Sequence, residues 1–183
     1  MKALTTNEYM TIIRTIREGN GTLRANPRCA AILTVEANLG MRVGDVLRLR
    51  LADIVEDGGR FRLNVTEEKT GKRRTFSVPP EMVKFLRTYA RDHGIAEDER
   101  LFPVCEYAVQ KHLKKVCDFL GCKNVSTHSF RKWYATEIYN SNGHDIILVQ
   151  QLLQHSSPAI TRRYIGIAED KIEEAISRHV LIA

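Results

Sequence analysis

Asp57-Gly-Gly-Arg-Phe-Arg-Leu-Asn-Val-Thr-Glu-Glu-Lys-Thr-Gly-Lys-Arg-Arg-Thr-Phe-Ser-Val78 is the stretch in which the hydrophobic period changes from 3.6 to 2. After the Asp57-Gly-Gly59 turn, Phe61-Arg-Leu-Asn-Val-Thr66 alternates apolar and polar residues. After Thr70-Gly71, Arg74-Thr-Phe-Ser-Val78 alternates again, and Pro79-Pro80 ends the run. The pattern predicts a small three-stranded antiparallel sheet, with Lys69 and Lys72 in or near the second turn.

On either side of this stretch the chain reads helical. Thr5-Thr-Asn-Glu8 is a capping box, opening a helix through Tyr9, Ile12, Ile13 and Ile16 to the Gly19-Asn-Gly21 break. Asn26-Pro27 supplies a cap and a first-turn proline for a second helix that runs to Gly40. Its apolar residues go nearly all round, as in a buried central helix. A short helix follows from about Gly44. Beyond Pro80 the helical pattern breaks near Gly94, Pro103, Gly121, Gly143 and Pro158. The fold class expected is mainly α with a small three-stranded antiparallel sheet, in one domain over residues 1–183.

The chain has 183 residues, a net charge of +6 and a pI near 9.3, a bias toward a polyanionic partner. Four cysteines (Cys29, Cys105, Cys117, Cys122) form no C-x-x-C pair and no zinc-like cluster, so free thiols are expected, with Cys29 and Cys117 buried. The N-terminus has no apolar signal region and no window approaches a membrane span. A cytoplasmic location is expected, with no metal and no cofactor.

Six further residues suggest phosphodiester chemistry. A phosphodiester repels an incoming nucleophile, and its pentacoordinate transition state carries more charge still. Metal-free attack therefore needs fixed cations, for which the planar arginine fork is suited. Arg42 and Arg131 are the candidates. His128 stands three residues before Arg131, on one face of a helix that Ser126 or Thr127 can cap. His155 closes one helix, and Tyr164 lies in the next, beside Arg162 and Arg163. A phenol has a pKa near 10 and needs nearby positive charge or a base to attack at neutral pH. Lys69, at a strand end, can reach a leaving oxygen as general acid, with Lys72 as a rival. Each residue alone has an ordinary reading: Arg42 as a surface arginine paired with Asp45, His128 as a cap, Tyr164 as packing, Lys69 as a solvated turn lysine.

Taken in order, the blocks Leu39-Gly-Met-Arg-Val-Gly-Asp-Val-Leu-Arg-Leu49, Lys69-Thr-Gly-Lys72, His128-Ser-Phe-Arg131, Leu152-Leu-Gln-His-Ser-Ser157 and Arg163-Tyr164 closely resemble the catalytic domain of the tyrosine recombinases, the phage integrase family. The resemblance implies that fold and a site-specific recombinase that cleaves and rejoins DNA strands through a 3′-phosphotyrosyl link. Arg42 and Arg131 would clamp the phosphate, and Lys69 would protonate the 5′-oxygen. His128 would assist proton transfer, His155 would donate to a phosphate oxygen, and Tyr164 would attack. Asp45 would buttress the site. Lys72, Arg73, Arg74, Lys132, Arg162 and Arg163 are the candidate contacts to double-stranded DNA.

Two positions depart from the family pattern: Gln154 stands where glycine is usual, and Lys132 where histidine is common. Most members also carry an N-terminal helical domain that clamps DNA, whereas residue 8 here already falls in the first expected catalytic helix. The resemblance then implies a catalytic fragment, or a minimal enzyme without the clamp, whose DNA binding is weak and strongly salt-dependent. Residues 168–179 form an amphipathic helix that either folds on its own core or docks on a neighbouring protomer. Within the same fold, a topoisomerase-like relaxer and a non-cutting DNA-binding module are the alternatives.

Overall fold

The computed structural model describes residues 3–166. The chain divides into two compact units, residues 1–134 and 135–183, with the boundary inside helix α6 (Thr127–Ser141). The helix expected over 168–179 lies outside the described residues.

In the first unit the helix starts are those that local chemistry dictates. At α1 (Thr6–Glu18), Thr5 Oγ1 accepts from the Glu8 N–H at 3.2 Å, and the Thr5 N–H donates to Glu8 Oε2 at 2.9 Å. This reciprocal box satisfies two otherwise orphaned donors. At α2 (Pro27–Leu39), Asn26 Oδ1 accepts from the Cys29 N–H at 3.0 Å. Tyr9, Ile12, Ile13 and Ile16 of α1 are buried together with most of α2, and the two helices pack on each other. Cys29 and Cys117 are buried free thiols, pushed up to about 12 by that burial, while Cys105 is exposed.

Within the expected sheet the structure is more broken than the alternation suggested. The three-stranded sheet consists of β1 (Ile54–Asp57), β2 (Arg60–Leu63) and β5 (Ser77–Val78), all antiparallel. A separate two-stranded ribbon pairs β3 (Val65–Thr66) with β4 (Arg73–Arg74). The Phe61–Thr66 run is therefore two strands, interrupted at Asn64. At the break, the Asn64 N–H donates to the Asp53 carbonyl at 2.8 Å, on the β1 side, and its side-chain oxygen accepts from Arg73 Nε at 2.8 Å. Both paired stretches keep one register, with the Leu63 N–H donating to the Phe76 carbonyl at 2.9 Å between them. The result is a long arm whose far turn, residues 67–72, carries Lys69.

The remaining helices stop and start near the punctuation read from the sequence: α4 (Pro80–Asp92), α5 (Glu106–Phe119), α6, α7 (Ile146–Leu153) and α8 (Pro158–Ile165). The short helix α3 covers only Val43–Val46, one residue earlier and shorter than expected. Two features set the roll of the first half of α6. The Trp133 ring stacks on Tyr9 at 4.3 Å between centroids, and Phe130 is fully buried and meets Tyr9 edge-on. Aromatic pairs in these geometries add stabilisation beyond their buried area.

Candidate active site

In the first unit, residues from four segments far apart in sequence meet at one open cleft. Arg42, Asp45, Glu68, Lys69, Glu106 and His128 all line it. Arg42 sits between α2 and α3, Lys69 in the hairpin turn, Glu106 at the first position of α5, and His128 in the first turn of α6. Lys72 is exposed but does not line this cleft, so of the two rival lysines it is Lys69 that faces His128.

Arg131 stands three residues beyond His128, yet the two do not share an environment. His128 is exposed, whereas Arg131 is only 2% exposed. One guanidinium nitrogen of Arg131 donates to the Gly40 carbonyl at 2.8 Å. That carbonyl is available because Gly40 ends α2 in the left-handed conformation, φ 57° and ψ 28°. Any side chain there would be strained by the positive φ. A Cβ would also lie 2.4 Å from the Tyr134 ring. Behind Arg131 lies Glu36, the one acidic residue within α2, 1% exposed. Burial pushes the Glu36 carboxyl well above the usual carboxylate range, partly offset by the nearby Arg131 charge and by a hydrogen bond from the Val43 backbone.

Arg42 pairs with Glu67, not with Asp45 as its ordinary sequence reading supposed. Glu67 is fully buried, and the Arg42 side chain is 21% exposed, so one edge of the guanidinium is sealed and the other faces the cleft. Asp45 instead accepts from Arg48 at 2.8 Å and from the Glu68 N–H at 3.0 Å. It therefore tethers the lysine-bearing turn to α3. The expected caps at the start of α6 are also different. Among the described residues, Ser126 Oγ and Thr127 Oγ1 have no hydrogen-bond partner, and the Ser129 hydroxyl accepts from the Ser126 N–H at 3.2 Å.

Charge in the cleft acts on His128. Its pKa is lowered, first by the loss of solvent on its inner side, then by Arg131, with Lys69 and Arg42 adding to the effect and Glu106 opposing it. These effects favour the neutral imidazole, which is able to accept a proton.

In the second unit, α7 ends at Gln154, which adopts the left-handed conformation (φ 55°, ψ 35°) that explains why glycine is usual there. His155 follows. Its backbone N–H donates to the Gln150 carbonyl at 3.1 Å, and its Nδ1 shares a 3.0 Å hydrogen bond with Thr161 Oγ1, a buried hydroxyl of α8. Ser157 caps α8 through the Ile160 N–H, and Pro158 occupies its first turn. These contacts bring the His155 and Tyr164 rings together, 5.2 Å between centroids and edge to face. Tyr164 is half-buried, on the last turn of α8, where Arg162 and Arg163 are exposed.

Among the other candidate contacts, Lys72 and Arg73 are exposed near the hairpin turn, Arg74 lies on β4, and Lys132 is half-buried on α6. No group of three or more His, Cys, Asp or Glu side chains among the described residues is arranged to hold a metal. No helix among them is long and apolar enough to cross a membrane. Sequence reading missed Glu67, Glu36 and Glu106. Glu67 had a signal: after Leu63 and Val65 it is the next inward position of the alternation, where a carboxylate demands a cation. Glu36 had one too, as the one acidic residue inside a nearly all-round apolar helix.

A family model for the phage integrases matches residues 2–171. The chain belongs to the phage integrase family. It is 30% identical over 160 residues to the probable integrase/recombinase YoeC of Bacillus subtilis (strain 168), spanning 84% of this chain and 85% of that protein. It is also 30% identical over 164 residues to the tyrosine recombinase XerC of Caldanaerobacter subterraneus subsp. tengcongensis, but spans only 44% of that protein's length. In fold it is similar to the XerH site-specific recombinase bound to difH substrate, with a TM-score of 0.71 at 20% identity, over 97% of this chain and 54% of the other. It is likewise similar to the catalytic domain of bacteriophage HP1 integrase, with a TM-score of 0.67 at 19% identity, over 98% and 95%. Family and fold together support a site-specific DNA recombinase or integrase of the tyrosine class, with a mainly helical catalytic domain bearing a small antiparallel sheet.

Proposed function

We propose that this chain cuts and rejoins double-stranded DNA by forming a covalent 3′-phosphotyrosyl link through Tyr164. The observation that carries the reading is the gathering of Arg42, Lys69 and His128 around one cleft, with Arg131 fixed one helical turn beyond His128. Fixed cations aimed at developing charge are the largest single source of rate enhancement in such transfers. In the proposed step the Tyr164 oxygen bonds to phosphorus while the bond from phosphorus to the 5′-oxygen breaks. The neutral His128 imidazole takes the phenol's proton, and the Lys69 ammonium gives one to the departing 5′-oxygen. Arg42, Arg131 and His155 hold the phosphate oxygens. Asp45 supports the site by fixing the Glu68 backbone. The energy of the broken bond stays in the ester, so rejoining needs no external energy source.

Within this reading residues 1–183 make up a single catalytic domain. Lys72, Arg73, Arg74, Lys132, Arg162 and Arg163 contact the DNA backbone, which positions the duplex without reading its sequence. The partner is double-stranded DNA, by analogy with the XerH complex, and a cytoplasmic location suits that partner. Residues 168–179 mediate self-association on DNA.

A nicked suicide substrate tests the chemistry. The intact chain should trap a covalent protein–DNA adduct in the presence of EDTA, and Tyr164→Phe should trap none. An adduct persisting in Tyr164→Phe would reassign the nucleophile. A chain that binds DNA but forms no adduct would instead be the non-cutting binding module.

A further inference from the structure

We infer that Glu67 is a positioning residue that ties the Arg42 guanidinium to the turn carrying Lys69, so that the phosphate clamp and the proton donor are set by one buried carboxylate. This rests on the DNA-cleaving reading above. Glu67 is fully buried. Its Oε2 receives both an Arg42 guanidinium N–H and the Thr70 hydroxyl, the latter at 2.9 Å. Its backbone closes the same turn: the Glu67 N–H donates to the Lys72 carbonyl at 2.9 Å, and its carbonyl accepts from the Gly71 N–H at 2.9 Å. Lys69 sits between these fastenings. One carboxylate oxygen therefore sees the cation of one segment and the turn of another, 25 residues away in sequence.

Stability alone is a poor reason for this pair. Taking a carboxylate fully out of water incurs a desolvation penalty that its Coulomb attraction rarely exceeds by much, whereas the orientation it imposes is specific. Nor is Glu67 a group that can touch substrate, since the cleft is lined by its neighbours Glu68 and Lys69 and not by Glu67 itself. Its effect must pass through Arg42 and Lys69. The second tether, Asp45 to the Glu68 N–H, holds the backbone of the turn and meets Arg42 through its backbone, the Asp45 N–H donating to the Arg42 carbonyl at 2.9 Å, whereas Glu67 holds the guanidinium itself.

The test uses single-turnover cleavage of two suicide substrates, one with the natural 5′-oxygen at the scissile bond and one with sulfur in its place. A thiolate departs without a proton, so the sulfur substrate removes the need for Lys69 and leaves the need for Arg42 intact. Lys69→Ala sets the scale for how much rate sulfur restores. Glu67→Gln, measured as a folded full chain, should cleave the oxygen substrate about 10–100-fold more slowly, the range seen when a residue that orients a metal ligand is removed. Sulfur should restore part of that loss, the remainder belonging to Arg42. Glu67→Asp should recover some of the rate on oxygen. Thr70→Val leaves the ion pair and cuts the carboxylate's link to the turn, together with the 3.3 Å bond from the Lys72 N–H within that turn, at an exposed position, so its smaller loss should be restored almost fully by sulfur. A Glu67→Gln loss that sulfur does not relieve, or wild-type cleavage by both Glu67→Gln and Thr70→Val, would overturn the coupling. If the wild-type chain forms no adduct with either substrate, it is the cleavage reading that fails.

Discussion

Helices α2 and α7 end alike, on a residue in the left-handed conformation just ahead of a candidate site residue, but one end is Gly40 and the other Gln154. At Gly40 the geometry leaves no choice. A side chain would be strained by φ and would collide with Tyr134, and the carbonyl of that same residue holds Arg131. At Gln154 the chain accepts the strain of a non-glycine residue, and the contacts that place His155 come from Gln150 and Thr161, within six residues of it. The two regions thus build their parts of the chemistry differently. The cations of the first unit are fixed by partners 25 and 91 residues distant, while the histidine and tyrosine of the second are arranged by local helix geometry. Long-range fixation makes a site sensitive to packing anywhere along the connection. Local fixation confines sensitivity to one turn.

That contrast breaks most decisively at Gly40. Gly40→Ala should destabilise the protein by about 2–5 kcal/mol, combining about 1–2 for the left-handed backbone with about 1–3 for overpacking against Tyr134. Urea unfolding measures it, and DNA cleavage should fall in the folded fraction too, because the acceptor of Arg131 shifts. A neutral result would mean the Tyr134 ring moves aside freely. The reverse substitution at the other helix end, Gln154→Gly, should stabilise by about 0.5–1 kcal/mol, the relief of strain less the added entropy of an unfolded glycine. A loss of stability there would show that the glutamine side chain contributes more than its backbone takes away.

The smallest effect is electrostatic and belongs to the first unit. His128 should titrate below 6.5 in the free protein, as followed by NMR of its ring, and Lys69→Ala should move the midpoint up by removing one crowding cation. The sign for stability follows. Folding lowers this pKa, so below about pH 6.5 the unfolded chain binds more protons than the folded one. The contribution of His128 to stability therefore falls as pH drops through that window and levels off once pH is below the folded value. A His128→Asn variant whose acid sensitivity matched the wild type between pH 6.5 and 5 would remove His128 as the cause.

Much of this was legible from residue types in a row. The capping box at Thr5, the Asn26-Pro27 start, the glycine and proline breaks, and the change of period at residues 57–78 are local signals, and the structure places helix and strand near each of them. The six candidate site residues could be named because arginine, histidine, lysine and tyrosine in one order serve one chemistry. What the sequence read less well depended on pairing across distance. The Phe61–Thr66 run split at Asn64, whose N–H goes to Asp53 and whose side-chain oxygen goes to Arg73. Arg42 found Glu67 and not its sequence neighbour Asp45, since the antiparallel arm carries the inward face of residue 67 up to the end of α2.

The amino-acid order alone thus set where helices begin and stop, which faces are apolar, and which side chains are chemically able to handle a phosphate. Only the folded chain decided which carboxylate holds which arginine, that Arg131 is buried while His128 is exposed, and that Lys69 and not Lys72 faces the cleft. The reason is physical: capping and periodicity are settled within a few residues of backbone, whereas a buried charge is paired by whatever the packing of remote segments brings within reach.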